Sequence, residues 1–142
     1  MITTPRSVRS DRSGFTLIEL MTVVVILGLL ATIAMPRLQD FRNRAHFASI
    51  SSDFKNFGVA QEQFRFLNDT YALSTEDLEF QGTDGVVLTV LEATATGWSA
   101  VGTHAALPAS EGCAVYLGDA APPALPSGSP HSGGPGVVQC SR

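Results

Sequence analysis

The sequence predicts an α+β fold in which a long N-terminal helix packs under a small antiparallel sheet. The helix is apolar in its first half and amphipathic in its second. Three observations predict it. Phe15 to Met35 is an apolar run containing a single charge, Glu19. From Arg37 to Leu67, apolar side chains recur at spacings of three and four. Beyond Asn68 the chain turns into short, strand-like segments separated by Gly, Thr, Pro and Asp. Strands that follow a long helix, rather than alternating with helices, indicate a sheet laid on that helix.

The apolar run comes first. Its 21 residues form a helix of about 31 Å, the thickness of a bilayer's hydrocarbon core. Glu19 stands four positions after Phe15, where a carboxylate costs a few kcal/mol on insertion scales, so an acid there marks a functional position. Gly28 and Pro36 are weak points, costing about 1 and about 3 kcal/mol within a helix interior. Val23 to Val25, three β-branched residues in a row, are mediocre helix formers outside lipid. Before the run, residues 1–14 carry Arg6, Arg9 and Arg12 against Asp11, a balance that suits cytoplasmic retention. Arg37, Arg42 and Arg44 against Asp40 follow the run, so charge alone barely orients it.

Arg12-Ser13-Gly14-Phe15-Thr16-Leu17-Ile18-Glu19-Leu20 resembles the class III signal of type IV pilins and of the related type II secretion pseudopilins. The resemblance extends through Gly28, Pro36 and the following helix, and more loosely to the two cysteines. It implies that a prepilin peptidase cuts between Gly14 and Phe15 and that Phe15 is then N-methylated. It also implies that Glu19 guides assembly and that the segment around Gly28 and Pro36 can lose helicity in a filament. Composition and periodicity alone leave two further readings open, a plain anchor and a secretory signal cut after Thr32-Ile33-Ala34. Met35-Pro36 disfavours that cut, and the resemblance favours the pilin-like reading.

Residues 37–67 continue the helix. Leu38, Phe41, Ala45 and Ala48 share one spacing pattern, and Phe47, Ile50, Phe54, Phe57, Ala60, Phe64 and Leu67 form a stripe that needs covering. Asp40 and Arg44 can pair at i,i+4 on the wet side. The six phenylalanines from Phe41 to Phe66 sit at helical spacing and read as core rather than as a charge-transport path.

Residues 68–142 form the head. Asn68-Asp69 ends the helix, and Ser74-Thr75-Glu76-Asp77 reads as a capping box opening one helical turn. Val86–Glu92, Trp98–His104 and Cys113–Leu117 read as strands. Residues 118–136 are dense in proline and glycine and read as a loop between the cysteines. The head holds eight acids against Arg142 alone, which argues against nucleic-acid binding through its surface. With a membrane-length segment upstream, Cys113 and Cys140 read as an extracytoplasmic disulfide.

No catalytic constellation emerges. His46, His104 and His131 are far apart in sequence, no metal-ligand spacing is present, and Ser99 lies in a strand pattern rather than on a nucleophile elbow. The expected organisation is a leader (1–14), a membrane and filament-core helix (15–36), its amphipathic continuation (37–67) and a head (68–142). The expected function is non-enzymatic and needs no cofactor: a subunit anchored in the inner membrane, then polymerised with copies of itself into an extracellular type IV pilus. Its partners are the prepilin peptidase and methyltransferase and the pilus assembly machinery. The alternatives are a type II secretion pseudopilin and a membrane-anchored binding domain that never polymerises.

Overall fold

The computed structural model describes residues 14–141. The expected leader lies outside them apart from Gly14. Helix α1 runs Leu17–Asn68, 52 residues, and its assignment continues through both Gly28 and Pro36. Two compact units divide the chain, 1–39 and 40–142. The first, as far as it is described, is helix preceded by three residues outside any regular element. The second holds the rest of α1 and the head.

The head is a four-stranded antiparallel meander in the order β1 (Val86–Ala93), β2 (Trp98–His104), β3 (Cys113–Leu117) and β4 (Gln139–Cys140). Three strands were expected; β4 was not. Two residues in a proline- and glycine-rich tail carry no alternation, and β4 exists through its pairing of Cys140 with Cys113 and of Gln139 with Ala114. The Ser74 signal forms a 3₁₀ turn at Thr75–Asp77, with the Ser74 hydroxyl accepting from the Glu76 N–H at 3.1 Å.

The sheet covers the predicted stripe through Ile50, Phe54, Phe57 and Ala60, all buried, with Phe47 and Phe64 packed at the margin. Trp98 and Phe80 each meet the Phe57 ring edge-on, at 5.2 and 5.5 Å between centroids. Gly102 makes the close approach possible. A Cβ there would stand 2.8 Å from Ile50 Cγ2 and 2.8 Å from Leu88 Cδ2, closer than packed carbon atoms tolerate.

The stripe is shorter than its periodicity suggested. Leu38, Phe41 and Leu67 remain exposed because the sheet and its connections reach only the middle of the pattern. Asp40 and Arg44 form no ion pair; among the described residues the one such pair is Arg65–Glu62 at 3.9 Å. The helix ends where expected. Asp69 takes a left-handed φ of 58° and returns its N–H to the Arg65 carbonyl at 2.8 Å, while Asn68 Nδ2 donates to the Phe64 carbonyl.

Two buried polar side chains tie the connection between helix and sheet to α1. Gln61, fully buried, donates to the Ala72 carbonyl and accepts from the Ala72 N–H, each at 2.8 Å. Asp53 accepts from the Thr83 N–H at 2.7 Å and from its hydroxyl at 2.8 Å. Nearby, burial of the Tyr71 hydroxyl raises its pKa, and its donation to Glu62 at 2.7 Å raises it further. A phenol held neutral in this way contributes stability that is kept through neutrality and lost only as pH rises above the usual tyrosine range.

Phe54→Ala removes a buried ring that the sheet cannot collapse onto and should cost about 3–5 kcal/mol. Thermal unfolding of the head fragment 40–142 reads it. An unchanged melting temperature would contradict helix-on-sheet packing, and Lys55→Ala serves as the near-neutral control.

Candidate assembly site

The N-terminus of α1 is built by local hydrogen bonding. Thr16 is its N-cap, and Glu19 is the third helical residue. The Thr16 N–H donates to Glu19 Oε2 at 3.0 Å, the Thr16 hydroxyl donates to the same oxygen at 2.9 Å, and the Glu19 N–H returns to the Thr16 hydroxyl at 3.3 Å. This is a reciprocal capping box. It places a carboxylate in the first turn, where the helix dipole favours it. Oε1 of Glu19 makes no hydrogen bond to the described residues, so one oxygen remains open to an incoming donor.

The sequence reading singled out Glu19 and missed Thr16. The signal was available, since Thr16-x-x-Glu19 matches the capping-box pattern recognised at Ser74. Gly14 and Phe15 stand just outside this box and before the helix. Phe15 is 82% exposed, and among the described residues nothing lies within 4 Å of where a Gly14 Cβ would be. The described residues leave the peptide bond between them uncrowded.

Every residue from Gly14 to Arg42 is exposed, including the whole apolar run. The helix has a segment long and apolar enough to cross a bilayer, none of it buried by the chain itself. Among the described residues, apart from the helix's own backbone, nothing lies within 4 Å of a Gly28 Cβ position. Pro36 offers no N–H to the carbonyl one turn before it, so α1 lacks one rung at that point.

Cys113 and Cys140 are joined by a disulfide that closes the end of the sheet. The loop it encloses is also held from inside. The two ring nitrogens of His131 face the carbonyls of Gly133 (3.2 Å), Ala114 (3.2 Å) and Val137 (3.1 Å), and the Tyr116 hydroxyl donates to the Gly133 carbonyl at 3.2 Å. Of the other histidines, His46 and His104 are brought together with ring centroids 4.0 Å apart, whereas Ser99 is buried in mid-strand. Among the described residues no group of three or more His, Cys, Asp or Glu is placed to hold a metal.

Two outcomes check this geometry. Thr16→Ala should weaken the cap by about 1 kcal/mol, read as roughly five-fold faster amide exchange over residues 17–20 in micelles; unchanged exchange would remove the cap from the explanation. Reduction of Cys113–Cys140 should destabilise the head by roughly 3–4 kcal/mol on the chain-entropy model, and thiol labelling of the denatured, unreduced protein should find no free cysteine.

Residues 9–35 match the family model described as the prokaryotic N-terminal methylation motif. The chain is 37% identical over 71 residues to type II secretion system core protein G of Pseudomonas aeruginosa, covering 50% of each chain. It is 39% identical over 67 residues to the type IV major pilin protein PilA of Myxococcus xanthus, covering 47% of this chain and 30% of that one. With the type IV major alpha-pilin of Moraxella bovis it shares 38% identity over 65 residues, covering 46% and 41%. The chain thus spans about half the length, or less, of the relatives it matches. It carries a prepilin-type N-terminus, and its homologues are type IV pilins and the core protein G of type II secretion.

Proposed function

We propose that this chain is a filament subunit. It is inserted in the inner membrane through residues 15–36, cut between Gly14 and Phe15, N-methylated at Phe15, and polymerised with copies of itself into an extracellular type IV pilus. One observation carries the reading: the whole apolar half of α1 is exposed on its own chain. A lipid-like helix can leave the bilayer only if similar helices replace the lipid, and a central bundle of such helices does so. The head, disulfide-closed and acidic, then coats the outside. The prepilin peptidase, its methyltransferase activity and the assembly machinery are the partners this route requires.

Glu19 is the register device in this scheme. Cleavage gives Phe15 an amine that stays protonated at neutral pH. Its neighbour Thr16 is already bound to Oε2, which leaves Oε1 to accept from the amine of another copy. An unpaired charge in an apolar bundle is expensive, and removing one member of a buried pair commonly costs about 3–5 kcal/mol. Gly28 and Pro36 are where the helix yields most easily when it changes surroundings. The similarity to core protein G supports a second reading, in which the same machinery builds a short secretion pseudopilus. Long surface filaments made without overproduction of the chain favour the pilus.

Intact-mass analysis should give residues 15–142 plus one methyl group; a mature N-terminus near Met35, or an uncut leader, would overturn the processing route. Glu19→Ala should still be cut and inserted yet build no filaments. Normal filaments from that variant, at wild-type subunit levels, would leave Glu19 without its assigned role.

A further inference from the structure

The head carries an unfilled apolar groove on one flank of α1 and an uncovered leucine on the other. The groove, about 430 Å³, is walled by Phe54, Gly58, Val59, Trp98, Leu117 and Val138. Trp98 is buried, yet its indole Nε1 has no hydrogen-bond partner among the described residues. Buried indole N–H groups ordinarily find an acceptor. A Cβ at Gly58 would stand 3.7 Å from Trp98 Cζ2, on the ring edge that also bears Nε1. Lys55, the only lysine in the chain, lines the same groove and makes no ion pair among the described residues.

The opposite flank has the complementary features. Ala60, Gln63, Phe64 and Leu67 are centred roughly 120° around α1 from Lys55, Val59 and Glu62, at about 100° per residue. Leu67 is 78% exposed and borders a shallow depression with Asp77 and Glu79. In this last turn the carbonyls of Phe64 and Arg65 are taken by Asn68 and Asp69. Those of Phe66 and Leu67 accept no bond from the described residues, as helix ends leave them.

We propose that the Trp98 groove seats the C-terminal end of α1 from a second copy of this chain, with the incoming Leu67 in the groove and Lys55 facing the incoming Asp77 and Glu79. Charge complementarity selects the occupant: Glu62, which also lines the groove, is paired with Arg65 at 3.9 Å, so among the groove's charges Lys55 is the one left to meet the acidic flank of another copy. Different surfaces meet, so each contact leaves one groove and one leucine free, and the contact propagates rather than closing on itself as a dimer. For parallel copies, the nine-position offset between Gly58 and Leu67 sets a stagger of roughly 13 Å. The inference rests on the filament reading and names the contact between heads within it.

The test uses full-length chains and carbodiimide, which joins an amine to a carboxylate without a spacer. Two variants are co-expressed, one Lys55→Arg and the other Asp77→Asn with Glu79→Gln. Neither can form the cross-link with copies of itself, so a product joining Lys55 to residue 77 or 79 must bridge the two chains. In membranes and in sheared filaments, the co-expressed pair should give that covalent dimer at no less than about a quarter of the wild-type yield, the share expected from random neighbours. Each variant alone should give none. Emission from Trp98, the sole tryptophan, should shift between dispersed subunits and assembled ones. Filaments that form without the cross-link overturn the contact while leaving the filament reading intact. A cross-link in membranes of cells that never make filaments overturns the filament reading and leaves the contact. Absence of the dimer in both places, with Trp98 emission unchanged, gives the groove to another occupant such as a small apolar molecule and overturns the proposal.

Discussion

The constraint on which everything else depends is the missing cover over the first half of α1. From Phe15 to Met35 the side chains are those of a protein interior, and the chain provides no interior for them. At about 25 cal/mol per Å² of apolar surface, leaving such a helix in water is prohibitive. Lipid is one cover and other copies of the same helix are another. The capping box at its start fits both. It satisfies backbone donors at the helix end, which neither lipid nor an apolar bundle could do, and it leaves one carboxylate oxygen uncommitted.

The head solves a different problem. Its single-layer sheet must lie close on one helix, and Gly102 permits that approach. Gln61 and Asp53 then fix two connecting segments by bonds to backbone as well as side chain, so the connections are ordered without needing a core of their own. The loop after β3 is held by the disulfide and by the carbonyl contacts of His131. These devices leave the groove beside Trp98 and the exposed Leu67 as unfinished surfaces.

Much of this was legible in the sequence because it follows from periodicity. The long helix, the burial of Phe54 and Phe57, the first three strands and the joined cysteines all carry local or compositional signals. What was not legible depends on tertiary partners. β4 has no pattern of its own and is defined by Cys113 across the ladder. Leu67 continues the helical stripe perfectly and is nonetheless uncovered, since periodicity says which side chains share a face but not how far the sheet reaches. Gln61 reads as a surface residue until Ala72 folds back over it. Thr16 carries only a short-range signal, and a threonine in an apolar run reads as a neutral helix residue until its hydroxyl and N–H are seen to meet Glu19.

The similarity to type IV pilins and to core protein G and the uncovered helix point the same way, toward a chain completed by its own copies. The most direct test of that idea is a helical reconstruction of sheared surface filaments by electron cryomicroscopy. The expected result is a filament of this chain in which residues 15–35 of neighbouring copies pack against one another in a lipid-free central bundle, with the disulfide-closed heads outside. A filament lacking this chain, or subunits whose apolar segment has been removed or still lies in lipid, would contradict it.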